Sequence, residues 1–211
     1  MTNLATFELH QINFPVDSPD FLQDSFNHLP QTEYADGKFR LRRYSVIKIR
    51  GTGFDRVVKK EFSQTDEYNK FQPNVIRQYD EILDRAIFCF KFKAILDCFK
   101  RVNKLLDDQE VEIHQMRILA QDDGEALTSP EGIHQDGFRR IAIVGVNRYN
   151  ITGGNLLVYR DKGSKEIVDM VLETGEMVVI DDEVLWHSAT AIKSIDKEKP
   201  GYMDVFILTT K

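Results

Sequence analysis

The sequence is poor in cysteine, which limits how its fold can be held together. Cys89 and Cys98 are its 2 cysteines in 211 residues. If both lie on one helix, as their surroundings indicate, they are about 13 Å apart and beyond the reach of a disulfide. We therefore expect no disulfide and no redox role, and we interpret both residues as small core hydrophobes.

Long apolar runs are also missing. No stretch approaches the roughly 20 apolar residues that a membrane-spanning helix requires. Residues 1–8 have neither the basic flank nor the apolar core of a secretion signal. These absences predict a cytoplasmic protein that makes no contact with a membrane.

Positive charge is in deficit. The chain has 28 Lys and Arg against 34 Asp and Glu, a formal net charge of -6 at pH 7. Apart from Arg40, Arg42 and Arg43 the basic residues are dispersed, so no broad basic surface is available for nucleic acid. With 42% hydrophobic and 29% charged residues, the composition is globular, and the length suits one domain over residues 1–211.

Two helical segments are predicted in the first half of the chain. Ser18 and Pro19 suit the N-cap and the first position of a helix that ends before Pro30. In residues 83–106 apolar side chains recur every three or four positions, which predicts one long helix or two in line. Such a stripe indicates packing, so we assign it no chemistry.

A strand is predicted between these helices. Residues 39–49 alternate and are rich in β-formers, which places Arg40, Arg42 and Tyr44 on one face and Arg43 on the other. An arginine ladder of this kind is more often a solvated face than a binding site. The sequence pattern alone leaves both interpretations open.

From about residue 110 the chain consists of short β-rich runs separated by turn residues. We predict strands over residues 111–120, 138–146, 155–160, 167–172, 177–180, 184–192 and 203–210. Evenly spaced short strands are typical of a sandwich or jelly roll. The predicted fold is therefore α+β, a cupin-like double-stranded β-helix. Residues 1–110 would form a buttress of helices and strands, and residues 111–211 most of the β core.

Residues 130–137, Pro-Glu-Gly-Ile-His-Gln-Asp-Gly, carry a candidate metal site within this β core. His134 and Asp136 are two positions apart, so in a strand both side chains project from the same face, and His187 could complete the site. Two His and one carboxylate leave three positions of an octahedral metal open, as in non-haem Fe(II) oxygenases. The alternative is a surface turn, with His187 packed beside Trp186 in the core; spacing alone gives both interpretations equal weight.

Ordered blocks along most of the chain match a known family. They are residues 38–45, Gln64, Tyr68, Asn69, Arg77, residues 114–118, 130–137 and 147–154, Asp181, Asp182, His187 and residues 201–210. Together they resemble the small bacterial Fe(II)/2-oxoglutarate dioxygenases typified by the L-isoleucine 4-hydroxylases. A set of blocks in order is far harder to obtain by accident than one His-x-Asp tripeptide, so the resemblance favours the metal site.

The resemblance implies an enzyme that uses Fe(II), 2-oxoglutarate and O2, with ascorbate as reductant, to hydroxylate a free L-amino acid or a similar small polar substrate. The metal ligands and catalytic residues would be His134, Asp136 and His187. The substrate-binding residues would be Arg40, Arg42, Arg43 and Trp186. A guanidinium suits a substrate carboxylate, whereas a lone Trp beside a His is also an ordinary core residue.

One residue that the resemblance implies is missing. An Arg on the final strand usually binds the distal carboxylate of 2-oxoglutarate, and the matching position here is Met203; no Arg follows Arg160. Because a buried carboxylate without a cationic partner is costly, another residue supplies the charge or the cosubstrate binds poorly. The candidates are Arg117, Arg148 and Lys193, of which we favour Arg117. We also expect Met203→Arg to tighten 2-oxoglutarate binding.

Other features admit more than one interpretation. Asp181 or Asp182 could accept the second N–H of a metal-bound imidazole or belong to a β-turn. His114 fits a hydrogen-bonded core histidine better than a ligand. Two other functions also stay open: a catalytically impaired metal-binding barrel with a binding or stress-regulatory role, and a hydroxylase of protein side chains, which would need a long open groove.

Overall fold

The computed structural model describes residues 7–15, 19–58, 61–120 and 125–210. Within these ranges the helices are α1 (Phe21–Ser25), α2 (Asp84–Ile87) and α3 (Phe90–Asn103), and a 3-10 turn spans Phe26–His28. The strands are β1 (Phe7–Gln11), β2 (Arg40–Arg50), β3 (Gly53–Val57), β4 (Glu61–Phe62), β5 (Arg77–Gln78), β6 (Glu110–Leu119), β7 (Arg140–Tyr149), β8 (Ile151–Gly153), β9 (Leu156–Tyr159), β10 (Glu166–Met170), β11 (Glu176–Asp181), β12 (Trp186–Ala189), β13 (Ile192–Ser194) and β14 (Tyr202–Thr210).

Most strands belong to two antiparallel sheets. The larger sheet has seven strands in the order β1-β11-β7-β14-β6-β2-β3, and the smaller has three in the order β10-β9-β12. Ile141 and Ile180 of the larger sheet pack with Leu156 and Val158 of the smaller one in a buried apolar cluster. This arrangement confirms the predicted α+β double-stranded β-helix.

The helices cover one face of the larger sheet, and the cavity described below lies on its other face. Along β14, Phe206 and Leu208 belong to the apolar cluster that includes the helices, and Phe206 makes edge contacts with the rings of Phe26 and Phe92. The alternate residues Met203, Val205, Ile207 and Thr209 line the cavity. Strand alternation therefore separates a packing face from a functional face.

The first helix begins later than predicted. Ser18 lies outside the described residues, and α1 starts at Phe21 with Asp20 as its N-cap. The Asp20 carboxylate accepts a hydrogen bond from the Gln23 N–H at 3.1 Å, which satisfies one of the open donors at the helix start. As predicted, the helical segment ends before Pro30.

The predicted helical region over residues 83–106 consists of two helices, α2 and α3. They are separated at Phe88 and Cys89, where the Cys89 sulfur accepts from the Phe92 N–H at 3.4 Å and caps α3. Neither Cys89 nor Cys98 forms a disulfide, as expected. In the described part of the chain, no helix combines the length and the apolar character needed to cross a membrane.

Two strand predictions are wrong in detail. The run over residues 184–192 is divided, because β12 pairs with β9 in the smaller sheet whereas β13 pairs with β8. The segment with His134 and Asp136 is not a regular strand: His134 forms one isolated bridge and Asp136 lies in a loop. Gly132 and Gly137 have φ values of 75° and 83°, and these left-handed conformations interrupt a strand on both sides.

A β-bulge interrupts the pairing of β7 with β14. Asp204 lies opposite Asn147, whereas the next residue, Val205, lies opposite Gly145, so Val146 has no partner on β14. One extra residue reverses the face from which the following side chains project. Residues of β7 beyond Val146 therefore project from the face opposite to the one that a regular strand would give them.

Candidate metal centre

Three side chains converge beside the smaller sheet: His134, Asp136 and His187. The metal-binding atoms that they offer lie within 4.8 Å of one another. His134 Nε2 is 3.6 Å from Asp136 Oδ1, and His187 Nε2 is 3.5 Å from Asp136 Oδ2. Two imidazoles and one carboxylate at these distances can bind one metal ion, and the donor set fits Fe(II).

A pair of backbone hydrogen bonds holds the two histidines side by side. The His134 N–H donates to the His187 carbonyl at 2.9 Å, and the His187 N–H donates to the His134 carbonyl at the same distance. Their ring centroids are 4.3 Å apart. The backbone thus fixes the separation of two ligands that lie far apart in the sequence.

Both histidines are arranged to present Nε2 to the metal. The Nδ1–H of His134 donates to the Gly132 carbonyl at 2.9 Å, which leaves Nε2 as the unprotonated nitrogen. His187 Nδ1 faces Asp182 Oδ1 at 3.6 Å. Burial, reinforced by the nearby His134, lowers the pKa of His187, and a neutral imidazole is the form that binds a metal.

Asp182 connects the loop that contains Asp136 with the strand that contains His187. One of its oxygens, Oδ2, accepts from the backbone N–H groups of Asp136, Gly137 and Phe138 at 2.8, 2.9 and 3.2 Å. The other oxygen faces His187 Nδ1, and neither atom has a hydrogen-bond partner among the described residues. Asp182 therefore holds the loop that contains Asp136 and places a carboxylate oxygen beside the Nδ1 of His187 without a hydrogen bond to it.

Gln64 connects Asp136 to a separate segment of the chain. Its Nε2 donates to Asp136 Oδ1 at 3.0 Å, and its Oε1 accepts from Asn69 and Arg77 at 3.1 and 3.3 Å. Burial by itself would raise the pKa of Asp136, but His187, His134 and Gln64 together hold that pKa well below its ordinary value. The carboxylate is therefore ionised and available as an anionic ligand.

We predict that Asp182→Ala weakens Fe(II) binding about 10-fold to 100-fold, because partners behind a metal ligand contribute on this scale. The measurement is anaerobic calorimetry with Fe(II). Asp181→Ala is the matched control, since Asp181 is also buried but is 4.0 Å from Arg140 and contacts none of the three ligands. Equal Fe(II) affinity in the two variants would contradict the role given to Asp182.

A cavity of about 120 Å³ lies between the two sheets and reaches the three ligands. Its apolar wall includes Ile143, Leu156, Val205 and Ile207. The polar side chains that line it, apart from the ligands, include Arg40, Arg42, Gln64, Arg77, His114 and Glu131. An apolar pocket with a few convergent polar groups is the usual form of a small-molecule site.

Two arginines of β2 enter the cavity with different partners. Arg40 Nη1 lies 3.1 Å from the Asp36 carboxylate and 3.3 Å from that of Glu131. Arg42 makes no ion pair among the described residues; its Nη2 meets only the Met116 sulfur at 3.2 Å, and its guanidinium lies 5.4 Å from the Tyr79 ring centroid. Arg42 is only 6% exposed, so it is a buried cation with no direct ion pair among the described residues, and Asp36 and Glu131 act on it only at longer range.

Arg77 and His114 complete the same wall. Arg77 is 1% exposed; it donates to Gln64 and lies over the Phe62 ring. His114 packs against the Tyr44 and Phe62 rings, and burial together with Arg42 keeps its pKa well below the ordinary value. His114 is thus a neutral cavity residue outside the metal site, and its Nδ1 lacks the expected hydrogen bond within the described ranges.

The chain matches the family model described as 2OG-Fe dioxygenase over residues 23–209, which is most of its length. The chain belongs to the 2OG-Fe dioxygenase family. It is accordingly a 2-oxoglutarate-dependent non-haem Fe(II) dioxygenase whose cofactors are Fe(II), 2-oxoglutarate and O2. The two imidazoles and the carboxylate of the candidate centre provide a ligand set that fits this metal. Among curated proteins, none matches the sequence.

Solved structures share the fold of this dioxygenase. A bsmA homolog from Methylobium petroleophilum PM1 has a TM-score of 0.77 at 22% identity, over 93% of this chain and 82% of that one. IDO from Bacillus thuringiensis has a TM-score of 0.76 at 16% identity, over 98% and 93%. The Fe(II)/(alpha)ketoglutarate-dependent dioxygenase TqaL has a TM-score of 0.71 at 16% identity, over 98% and 82%.

Two residues predicted to bind substrate lie outside the cavity of the dioxygenase. Arg43 projects from the other face of β2 and donates to the carbonyls of Glu81 and His28. Trp186 precedes His187 on β12 and so faces the opposite side of the strand, where the Lys162 ammonium lies 5.6 Å from its ring centroid. The structure therefore assigns neither residue to the substrate.

Arg117, the residue favoured from the sequence for binding 2-oxoglutarate, also lies outside the cavity. It projects from the helix side of β6, where two of its nitrogens donate to the Asp204 carboxylate at 2.6 and 2.7 Å and a third donates to Asn27. A guanidinium so fully paired is not available to 2-oxoglutarate. Lys193 is exposed and pairs with Glu125 at 2.6 Å, so Arg148 is the candidate of the three that stays near the cavity.

Several residues around the site were not assigned a role from the sequence. Gln64 and Arg77 lie in a segment with little periodicity, and their contacts with Asp136 and the cavity depend on chain folding over long separations. A role for Glu131 was easier to predict from the sequence, because this residue lies in the same block as His134 and Asp136. An acidic residue three positions before a ligand is a signal that could have been used.

Proposed function

We propose that this dioxygenase hydroxylates a free L-amino acid or a similarly small polar carboxylate. The observation that carries the proposal is Arg42, which lines the cavity as a buried cation and has no ion pair among the described residues. An unpaired buried charge is costly, so the position favours an anionic ligand. A carboxylate can accept two parallel hydrogen bonds from one guanidinium.

The neighbouring charges support a zwitterionic substrate. Arg40 is already neutralised, since both Asp36 and Glu131 are within 3.3 Å of its guanidinium. Asp36 and Glu131 also act on Arg42 at longer range, so two arginines and two carboxylates form a balanced set of charges, which a zwitterionic substrate would leave unchanged. Although burial opposes ionisation of both acids, Arg40 holds the pKa of Asp36 and of Glu131 below their ordinary values.

The lining of the cavity between the two sheets supports a small molecule, because an apolar wall with a few convergent polar groups is the usual form of a small-molecule site. The ordered blocks that resemble the L-isoleucine 4-hydroxylases support an amino-acid substrate with an aliphatic side chain.

In this proposal the residues have separate tasks. His134, Asp136 and His187 hold Fe(II), which with 2-oxoglutarate and O2 supplies the oxidation of an aliphatic C–H bond. Arg42 orients the substrate through its carboxylate. The apolar wall excludes water from the reacting carbon, which limits side reactions.

The test is an assay of purified protein with Fe(II), ascorbate, 2-oxoglutarate and a pool of the L-amino acids, in which succinate and hydroxylated products are measured. We expect succinate formation that depends on one or a few aliphatic amino acids and is absent from a His134→Ala control. Succinate at the control level with every amino acid would refute the substrate class. Metal uptake without any turnover would instead support the catalytically impaired barrel.

A further inference from the structure

We propose that Arg148 binds the distal carboxylate of 2-oxoglutarate, from the strand next to the one that contains Met203. This inference rests on the proposed function. The keto acid of 2-oxoglutarate would bind beside the three metal ligands, and its second carboxylate would then lie away from them inside the protein. A carboxylate in that position requires a cation or several hydrogen-bond donors.

The β-bulge brings Arg148 to the cavity face of β7. Arg148 lies directly opposite Met203 in the pairing of β7 with β14, and directly opposed residues project from the same face of a sheet. Met203 lines the cavity. Without the extra residue at Val146, Asn147 would occupy this face instead of Arg148.

The Arg148 guanidinium lies beside two residues that line this end of the cavity. Gly154 and Met203 both line the cavity, and Arg148 Nη1 is 3.2 Å from the Met203 sulfur. A Cβ at Gly154 would be 3.2 Å from Arg148 Nη1 and 3.1 Å from the Met203 sulfur. Because glycine has no side chain, position 154 adds no further group between the guanidinium and the cavity, and the flexible Met203 side chain is the other lining neighbour of Nη1.

The hydrogen-bonding capacity of Arg148 is only partly used. Its Nη2 donates to the Gly153 carbonyl at 2.6 Å, while Nη1 meets a thioether sulfur, which is a weak acceptor. Within the described residues Arg148 makes no ion pair. A carboxylate at the end of the cavity would give Nη1 a far stronger acceptor.

The distance between the metal ligands and Arg148 suits a ligand that is bound at both ends. On β12 and β9, His187 lies opposite Val158 and Ala189 opposite Leu156, and Gly154 is two residues beyond Leu156. At about 3.3 Å per residue, the end of the cavity is roughly 7–13 Å from the metal ligands. A five-carbon dicarboxylate held at the metal ligands by one end would extend in this direction, which leaves Arg42, on β2 of the same sheet and three strands from β7, to the substrate.

The experiment is a titration of 2-oxoglutarate into the anaerobic Fe(II) protein, followed by the metal-to-ligand charge-transfer absorbance. We expect Arg148→Met to weaken 2-oxoglutarate binding about 30-fold, as loss of a hydrogen-bonded charge does, with unchanged Fe(II) affinity. The double variant Arg148→Met/Met203→Arg returns the guanidinium to β14 and should recover most of the affinity. Lys193→Met, a cation outside the cavity, is the control and should bind as the wild type does.

Met203→Arg alone separates this proposal from the simpler expectation that an added cation tightens binding. The new guanidinium would lie against that of Arg148, and like charges repel, so we expect no gain in affinity unless Arg148 is removed.

Each outcome decides a different point. If Arg148→Met binds 2-oxoglutarate as tightly as the wild type, Arg148 does not bind the distal carboxylate, and the proposed function still stands. The same holds if only Arg42→Met loses affinity for 2-oxoglutarate. No absorbance band in the wild type at millimolar 2-oxoglutarate would refute the proposed function and, with it, this inference. If Arg148→Met also loses Fe(II), recovery of both ligands in the double variant supports the anchor, and failure to recover overturns it.

Discussion

Asp136→Ala is expected to abolish Fe(II) binding and, as a result, succinate formation. The carboxylate supplies the anionic ligand of the candidate centre, and both imidazoles are directed at its two oxygens. Its removal leaves two neutral ligands and a cavity whose remaining charges include the cations Arg42 and Arg77. We expect Fe(II) affinity to fall by about three orders of magnitude, or about 4 kcal/mol, in anaerobic calorimetry.

His114→Gln provides the matched control for this experiment. His114 is a buried histidine of the same cavity, but it is not one of the three converging ligands. We expect the variant to keep its Fe(II) affinity. If His114→Gln lost the metal and Asp136→Ala kept it, the assignment of the ligands would have to be abandoned.

Arg42→Met is expected to weaken substrate binding while stabilising the protein without substrate. Truncation of one partner of a buried charge pair typically costs about 2–5 kcal/mol, so the substrate affinity should fall about 30-fold or more. Without substrate, the variant replaces an unpaired buried cation by an apolar side chain of similar length. We expect the free energy of unfolding to rise by about 2 kcal/mol, and the melting temperature by about 4–8 °C.

The measurements are thermal unfolding of the metal-loaded protein and the KM for the amino acid identified in the succinate assay. Arg40→Met is the control with the opposite sign, because it leaves the buried Asp36 and Glu131 carboxylates without their shared partner. It should lower the melting temperature. A lower melting temperature in Arg42→Met as well would show that Arg42 is a structural residue and not a site for a substrate anion.

The sequence contains enough information to predict the metal ligands but not the arginine contacts. His134, Asp136 and His187 are recognisable because a metal site needs particular residue types, and these are visible without the fold. The alternation of Arg42 and Arg43 along β2 is also visible. The sequence does not show which of the two arginines faces the cavity, because both faces of β2 are largely covered and the partners come from distant segments.

The contacts of Arg117 and Arg148 could not be predicted from the sequence either, because they depend on residues far away along the chain. The Asp204 carboxylate that pairs with Arg117 comes from a strand 87 residues later, and no local pattern indicates that register. The sequence signal for the bulge at Val146 is the neighbouring Gly145, an isolated glycine in an apolar run, and strict alternation without the bulge gives the wrong face for Arg148. The single domain over residues 1–211 and the cytoplasmic location stay predictions.

The reciprocal backbone hydrogen bonds between His134 and His187 affect how the protein exchanges its iron. In proteins whose ligands are brought together only by the ion, removal of the metal unfolds the chain. Here a β-bridge holds two of the ligands and the Asp182 carboxylate holds the loop of the third, and these contacts do not involve the ion. We therefore expect a chelator to leave a folded protein that takes up iron again without refolding.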